Sequence, residues 1–78
     1  SKPAPDIFLA AAEGVGADIR RCIGIEDAAA GVAAIKAAGA LPIGVGKAED
    51  LGSDIALVSG TAELTYTYLQ NVWKQSGR

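Results

Sequence analysis

Two adjacent acids, Glu26 and Asp27, are the residues of this sequence best suited to chemistry. They directly follow the short apolar run Cys22–Ile25, which is typical of a buried strand. Neighbouring carboxylates repel each other unless a cation or hydrogen-bond donors lie between them, and Mg²⁺ prefers carboxylate oxygens together with water and substrate phosphate. The pair therefore suits part of a magnesium site. The alternative is that Asp27 caps the following helix while Glu26 is solvated.

Lys2 is the second candidate, because it stands just ahead of a helix that Pro5 and Asp6 predict. A cation near a helix N-terminus is unfavourable by about 0.3–1 kcal/mol unless an anion is shared between the two. Lys2 therefore indicates a phosphate or carboxylate partner. The alternative is an exposed lysine with no such role.

The composition excludes several classes of function. The chain has 78 residues, enough for one small domain, and a net charge of −2 that argues against a nucleic-acid partner. It contains one cysteine and no histidine, which rules out an internal disulfide and a Cys/His zinc site. No apolar run is long enough to span a membrane, and no signal peptide is apparent. We expect a cytoplasmic protein with no membrane partner.

Apolar periodicity and glycine positions predict the order helix, strand, helix, strand, strand, helix. The strands are apolar along their length, which favours an α/β fold with a parallel sheet covered by helices, and ligands then bind at the carboxyl ends of the strands. We expect the second helix, apolar on nearly every side, to be largely covered. An unpaired sheet edge, with no strand before the first helix, predicts a segment of a larger protein. The elements are predicted at residues 5–13, 22–25, 28–38, 41–45, 55–58 and from about 61 onward.

Three other features have structural interpretations. Gly44 and Gly46 flank a tight turn rather than form a phosphate-binding loop, since the third glycine of a dinucleotide motif is missing. Cys22 is interpreted as a small apolar residue of a strand. The aromatic residues of the last helix, Tyr66, Tyr68 and Trp73, are interpreted as packing residues.

Two runs together, Lys2–Phe8 with its Lys-Pro-x-Pro pattern and Ile23–Gly31 with its Glu-Asp-x-x-x-Gly pattern, resemble the haloacid dehalogenase (HAD) superfamily. The runs Ala34–Gly39 and Leu41–Gly46 resemble its β-phosphoglucomutase group in particular, although Ala28 and Ala29 stand where polar residues are common there. The resemblance implies that residues 1–78 form the C-terminal part of a HAD-type Rossmann-like core. The nucleophile strand, the Ser/Thr loop and the cap domain would then lie outside this chain.

The resemblance also implies a mechanism and its residues. The family transfers a phosphoryl group through a phosphoaspartyl enzyme; Lys2 matches the lysine that neutralises that group, and Glu26 and Asp27 match the Mg²⁺ site. It implies a sugar-phosphate substrate, with β-glucose 1-phosphate converted to glucose 6-phosphate, and the remainder of the same enzyme as a partner. The chain alone is expected to be inactive. Two alternatives stay open, namely a HAD sugar-phosphate phosphatase and a non-enzymatic α/β module.

Overall fold

The computed structural model describes residues 5–78 and has three parallel strands flanked by helices, which confirms the α/β prediction. The order of the strands in the sheet is β1-β2-β3. Short 3-10 turns lie at Ile19–Arg21 and Thr61–Glu63. Along the chain the helices and strands are α1 (Asp6–Gly14), β1 (Ile23–Glu26), α2 (Ala29–Ala38), β2 (Leu41–Val45), α3 (Ala48–Leu51), β3 (Ala56–Val58) and α4 (Tyr66–Gln75).

The register of the sheet aligns the carboxyl ends of the strands. Glu26, the last residue of β1, pairs with Gly44 of β2, and Val45 pairs with Val58 at the end of β3. The backbone N–H of Gly46 donates to the carbonyl of Val58 at 2.8 Å. The loops after the three strands therefore leave the sheet at one edge, where ligands bind in folds of this class.

The core is formed where α2 crosses the sheet. Ile35 of α2 and Ile43 of β2 are both completely buried. Only the face of α2 that includes Val32 and Ile35 is buried, whereas Lys36 and several alanines on its other side are exposed. The expectation that α2 would be largely covered therefore holds for the face that packs on the sheet but not for the opposite face, where small alanine side chains are tolerated in contact with solvent.

Two segments differ from the sequence prediction. The stretch predicted as a loop after β2 contains the helical turn α3, whose Leu51 is buried against the sheet. The last helix begins at Tyr66 rather than near Thr61, because the hydroxyl of Thr65 accepts the N–H of Tyr68 at 3.1 Å and caps α4 there. Tyr66 is 76% exposed, so its interpretation as a packing residue is wrong.

The sheet has an open edge at β1, which pairs only with β2 among the strands of residues 5–78. Ile25 on this strand is 41% exposed, an unusual value for an isoleucine in a parallel sheet. The prediction of an unpaired apolar edge is confirmed for this region. No helix in the described range is both long enough and apolar enough to cross a membrane.

Candidate functional site

The two acids of the candidate site lie where the sheet ends. Glu26 is the last residue of β1, and Asp27 follows it in the loop that leads into α2. Glu26 is half-buried and Asp27 is exposed. This placement at the carboxyl edge is the one that the sequence predicted.

The carboxylate of Glu26 turns back onto the start of α2. Its Oε1 atom accepts the backbone N–H of Asp27 at 3.0 Å and that of Ala28 at 3.2 Å. Ala28 is the N-cap residue of α2 and has no side chain that could accept a hydrogen bond from the helix. Glu26 thus supplies a charged acceptor for amides at the positive end of a helix, where negative charge is favourable.

This arrangement corrects the alternative proposed for the acids. The interpretation of Asp27 as the cap of α2 and of Glu26 as a solvated residue is wrong, because Glu26 makes the hydrogen bonds and is half-buried. No donor within residues 5–78 hydrogen-bonds to the carboxylate of Asp27. Its oxygen atoms therefore face the solvent without an internal partner in this part of the protein.

Oxygen donors of this kind fit Mg²⁺, which is bound through one or two carboxylates and keeps several waters. No group of three or more His, Cys, Asp or Glu side chains that could hold a metal ion occurs among the residues from Pro5 onward. Glu26 and Asp27 therefore suit a shared site whose other ligands come from water, substrate or further protein groups.

Lys2, the predicted catalytic residue, lies outside the described residues, and its approach to the acids stays a prediction. The helix that follows it begins at Asp6, with Pro5 as its N-cap residue. The carbonyl of Pro5 accepts the N–H groups of Phe8 and Leu9, both at 3.1 Å. The sequence predicted Pro5 as the first helical residue; it is the N-cap instead, and the helix begins one position later, at Asp6.

A further acid at this edge was missed by the sequence analysis. Oε2 of Glu63 accepts the N–H of Ser59 at 2.8 Å, the hydroxyl of Ser59 at 2.6 Å and the N–H of Gly60 at 3.1 Å. The hydrogen bonds from Ser59, then that from Gly60, lower the pKa of Glu63 below its ordinary value. These three hydrogen bonds to Glu63 close the loop after β3. The signal was a glutamate three residues after Gly60, a spacing typical of a capping box.

The tight turn predicted at Gly44 and Gly46 is wrong for Gly44, which lies inside β2 and pairs with Glu26 and Leu57, whereas Gly46 directly follows the strand. The N–H of Gly46 is bonded to the carbonyl of Val58 and is therefore not available to a phosphate. Cys22 is half-buried, and its thiol donates to the carbonyl of Asp18 at 3.3 Å. Neither feature adds a reactive group to the carboxyl edge.

Comparison with known proteins finds relatives of this chain. The chain is 45% identical over 75 residues to β-phosphoglucomutase of Bacillus subtilis, covering 95% of this chain and 33% of the relative. Over 37 residues, or 47% of the chain and 4% of the relative, it is 62% identical to the Arabidopsis thaliana protein SUPPRESSOR OF QUENCHING 1, chloroplastic. No protein-family model matches it.

Two solved structures share the fold over nearly the whole chain. The crystal structure of β-phosphoglucomutase from Clostridium difficile superposes with a TM-score of 0.90 at 39% identity, covering 97% of this chain and 34% of that one. A HAD hydrolase of family IA, variant 3, from Entamoeba histolytica gives a TM-score of 0.78 at 31% identity, covering 95% and 36%. The chain spans about a third of the length of the β-phosphoglucomutases that it matches. It is therefore homologous to β-phosphoglucomutase and has the fold of part of a HAD-type enzyme.

Proposed function

We propose that this chain is the C-terminal part of the catalytic core of an Mg²⁺-dependent sugar-phosphate phosphotransferase, with the activity of a β-phosphoglucomutase. One observation carries the proposal: in a homologue of β-phosphoglucomutase, two adjacent carboxylates stand where β1 ends, at the edge of the sheet at which ligands bind in this fold class. Glu26 is fixed by two amides, whereas the carboxylate of Asp27 has no donor within residues 5–78. The substrate proposed is β-glucose 1-phosphate, and the product is glucose 6-phosphate.

The rest of the enzyme is the partner that this proposal requires. The outer edge of β1 has no neighbouring strand in the described part, and Ile25 on it is exposed. An apolar cleft lined by Ile23, Leu69 and Trp73 opens between this strand and α4. Backbone groups on an open edge together with apolar surface favour the addition of a strand. The proposed occupant is the strand that carries the aspartate nucleophile, with the cap domain beyond it.

The roles of the residues follow from the charge of the phosphoryl group. Asp27 and Glu26 would hold Mg²⁺, which when bound neutralises negative charge on the transferring group. The ammonium group of Lys2 would bind a phosphoryl oxygen and stabilise the charge that spreads over that group. Ala12 of α1 and Ile23 of β1 line one shared cleft, so the helix lies beside the strand. This arrangement supports an approach of Lys2, ahead of α1, toward the acids.

The experiment joins this chain to the other two thirds of Bacillus subtilis β-phosphoglucomutase, in place of the matching third. The chimera is expected to convert β-glucose 1-phosphate to glucose 6-phosphate with Mg²⁺, and the 78-residue chain alone is expected to show no turnover. Asp27→Asn should weaken Mg²⁺ binding, Lys2→Ala should lower kcat with Mg²⁺ affinity retained, and Glu13→Gln, which removes an exposed charge on α1, should change neither. A folded chimera without Mg²⁺-dependent conversion would contradict the proposal.

A phosphatase is the second candidate, favoured by the match to a HAD hydrolase at a TM-score of 0.78. Both activities use the same phosphoryl chemistry, so the residues of this chain serve either. Release of inorganic phosphate by the full natural-length protein distinguishes them, because the chimera takes its nucleophile and cap domain from the mutase. Phosphate release without formation of glucose 6-phosphate would establish hydrolysis and exclude the mutase, and the absence of both from the full natural-length protein would favour the non-enzymatic alternative.

A further inference from the structure

We propose that Gly31 is a positioning residue, whose missing side chain makes the space in which the carboxylate of Glu26 lies. The consequence for metal binding rests on the proposed function. The contact between the two residues does not, because it is a feature of the protein without any ligand.

The space around Gly31 is filled by Glu26. A β-carbon built on Gly31 would lie 2.5 Å from Oε2 of Glu26 and closer still to its Cγ and Cδ atoms. Carbon atoms that do not share a bond pack at about 3.5–4.0 Å, so the two groups cannot coexist. Any residue other than glycine at position 31 would expel the glutamate side chain from its place.

The backbone gives no other reason for a glycine at this position. Gly31 lies in the first turn of α2, and it is not among the glycines with a positive φ angle. Its neighbours Ala29 and Ala30 are alanines, the residue that favours a helix most strongly. Glycine destabilises a helix relative to alanine, and the space that Gly31 leaves for the side chain of Glu26 is the feature of the structure that offsets this cost.

Displacement of Glu26 would have a specific local effect. Its Oε1 atom would lose the N–H groups of Asp27 and Ala28, which now hold it at 3.0 and 3.2 Å. A half-buried glutamate at the edge of the sheet can swing toward solvent, so the fold itself should survive. The orientation of the two neighbouring carboxylates would then no longer be fixed. Since outer residues that orient metal ligands affect metal affinity by about 10–100-fold, a loss of this order is expected.

The test uses the full natural-length protein that contains these residues and reads the amide NMR signals of Asp27 and Ala28. In Gly31→Ala both amide protons should move upfield, toward their positions in Glu26→Ala, because the hydrogen bonds to the carboxylate are lost. Gly14→Ala is the matched control: Gly14 also lies in a helix, no atom lies within 4 Å of its β-carbon position, and its substitution should leave both signals in place. Unchanged signals in Gly31→Ala would overturn the proposal.

A double variant shows whether Gly31 acts through Glu26. Adding Gly31→Ala to Glu26→Ala should cause no further shift of the two amide signals, because the side chain that would be displaced is already gone. If Gly31→Ala alone does not fold, the double variant should still fold, since its overlap is removed. Additive shifts, or a double variant that also fails to fold, would refute the role of Gly31.

Titration with Mg²⁺ links the position of Glu26 to the proposed function. The Gly31→Ala variant should bind Mg²⁺ about 10-fold more weakly or worse, while Gly14→Ala binds it as the wild type does. Equal affinity of the wild type and Gly31→Ala would contradict the proposal. A wild-type protein that binds no Mg²⁺ would contradict the proposed function instead, and the amide signals alone would then decide the role of Gly31.

Discussion

Substitution of Gly24 tests how β1 is held in the position from which it presents the two acids. Gly24 is buried in the middle of β1, and a β-carbon there would lie 2.7 Å from Cγ1 and Cγ2 of Ile35 and 2.8 Å from its Cδ1. Ile35 is completely buried, so it cannot turn toward solvent as a surface side chain would. Gly24→Ala must therefore separate α2 from β1 or force Ile35 out of its rotamer.

The expected effect is that of an overfilled core. Inserting a methyl group into a well-packed interior costs about 1–3 kcal/mol of the free energy of unfolding. Ile35→Ala should cost about 2–5 kcal/mol on its own through the cavity that it leaves. The double variant Gly24→Ala/Ile35→Ala should be more stable than the sum of the two single effects implies, because the added methyl group fills part of that cavity.

Urea unfolding of the full natural-length protein measures these differences, with the fluorescence of Trp73, the single tryptophan of this chain, as a local probe. Gly60→Ala is the matched control. Gly60 also has an extended backbone, with φ −160°, and no atom lies within 4 Å of its β-carbon position. Its substitution should leave the midpoint unchanged. A Gly24→Ala protein as stable as the wild type, or strictly additive effects in the double variant, would refute the packing argument.

Two further predictions concern the last quarter of the chain. The guanidinium group of Arg78 donates to the carbonyls of Gly39 at 2.7 Å, Arg20 at 3.1 Å and Ala40 at 3.4 Å. Arg78→Ala should therefore lower the free energy of unfolding by about 1 kcal/mol, measured as a lower Tm. Arg78→Lys should not restore it, because a lysine cannot reach the three carbonyls together. Glu63→Gln should be less stable than the wild type at neutral pH. Because the folded pKa of Glu63 is lowered, this difference should persist down to about its ordinary pKa of 4.5 and disappear on further acidification; a difference that grew toward low pH would contradict the hydrogen bonds from Ser59.

The parts of the fold predicted correctly from the sequence are those determined locally. Gly39 ends α2 in the left-handed conformation, with φ +96°, as a glycine just past a helix predicts. The bounds of β2 agree with the prediction because Leu41–Val45 is apolar and sharply limited. The turn α3 could not be predicted from its four residues. It is held by the burial of Leu51 against the sheet, a tertiary contact that no local pattern reveals.

The candidate site shows the same division between local and tertiary information. The sequence could place Glu26 and Asp27 together at the edge of the sheet, since both follow an apolar strand directly. It could not determine which carboxylate would accept the two backbone amides that lead into α2. That choice depends on the space above Gly31, which only the packing of the helix on the strand defines. The pattern Glu-Asp-x-x-x-Gly contained all three residues but not the contact between the first and the last.

The unequal surroundings of the two acids explain how like charges can stand next to each other at one edge. The charge of Glu26 is stabilised by two backbone amides at the start of a helix, also in the absence of a cation. Asp27 has no such donor within the described residues, and its charge is the one that a cation would stabilise. A change at Asp27 therefore affects the proposed ligand site alone, whereas a change at Glu26 also alters the start of α2. Because the three atoms nearest to a β-carbon on Gly31 belong to Glu26 and not to Asp27, substitution of Gly31 would disturb the geometry of the site while both carboxylates remain in the sequence.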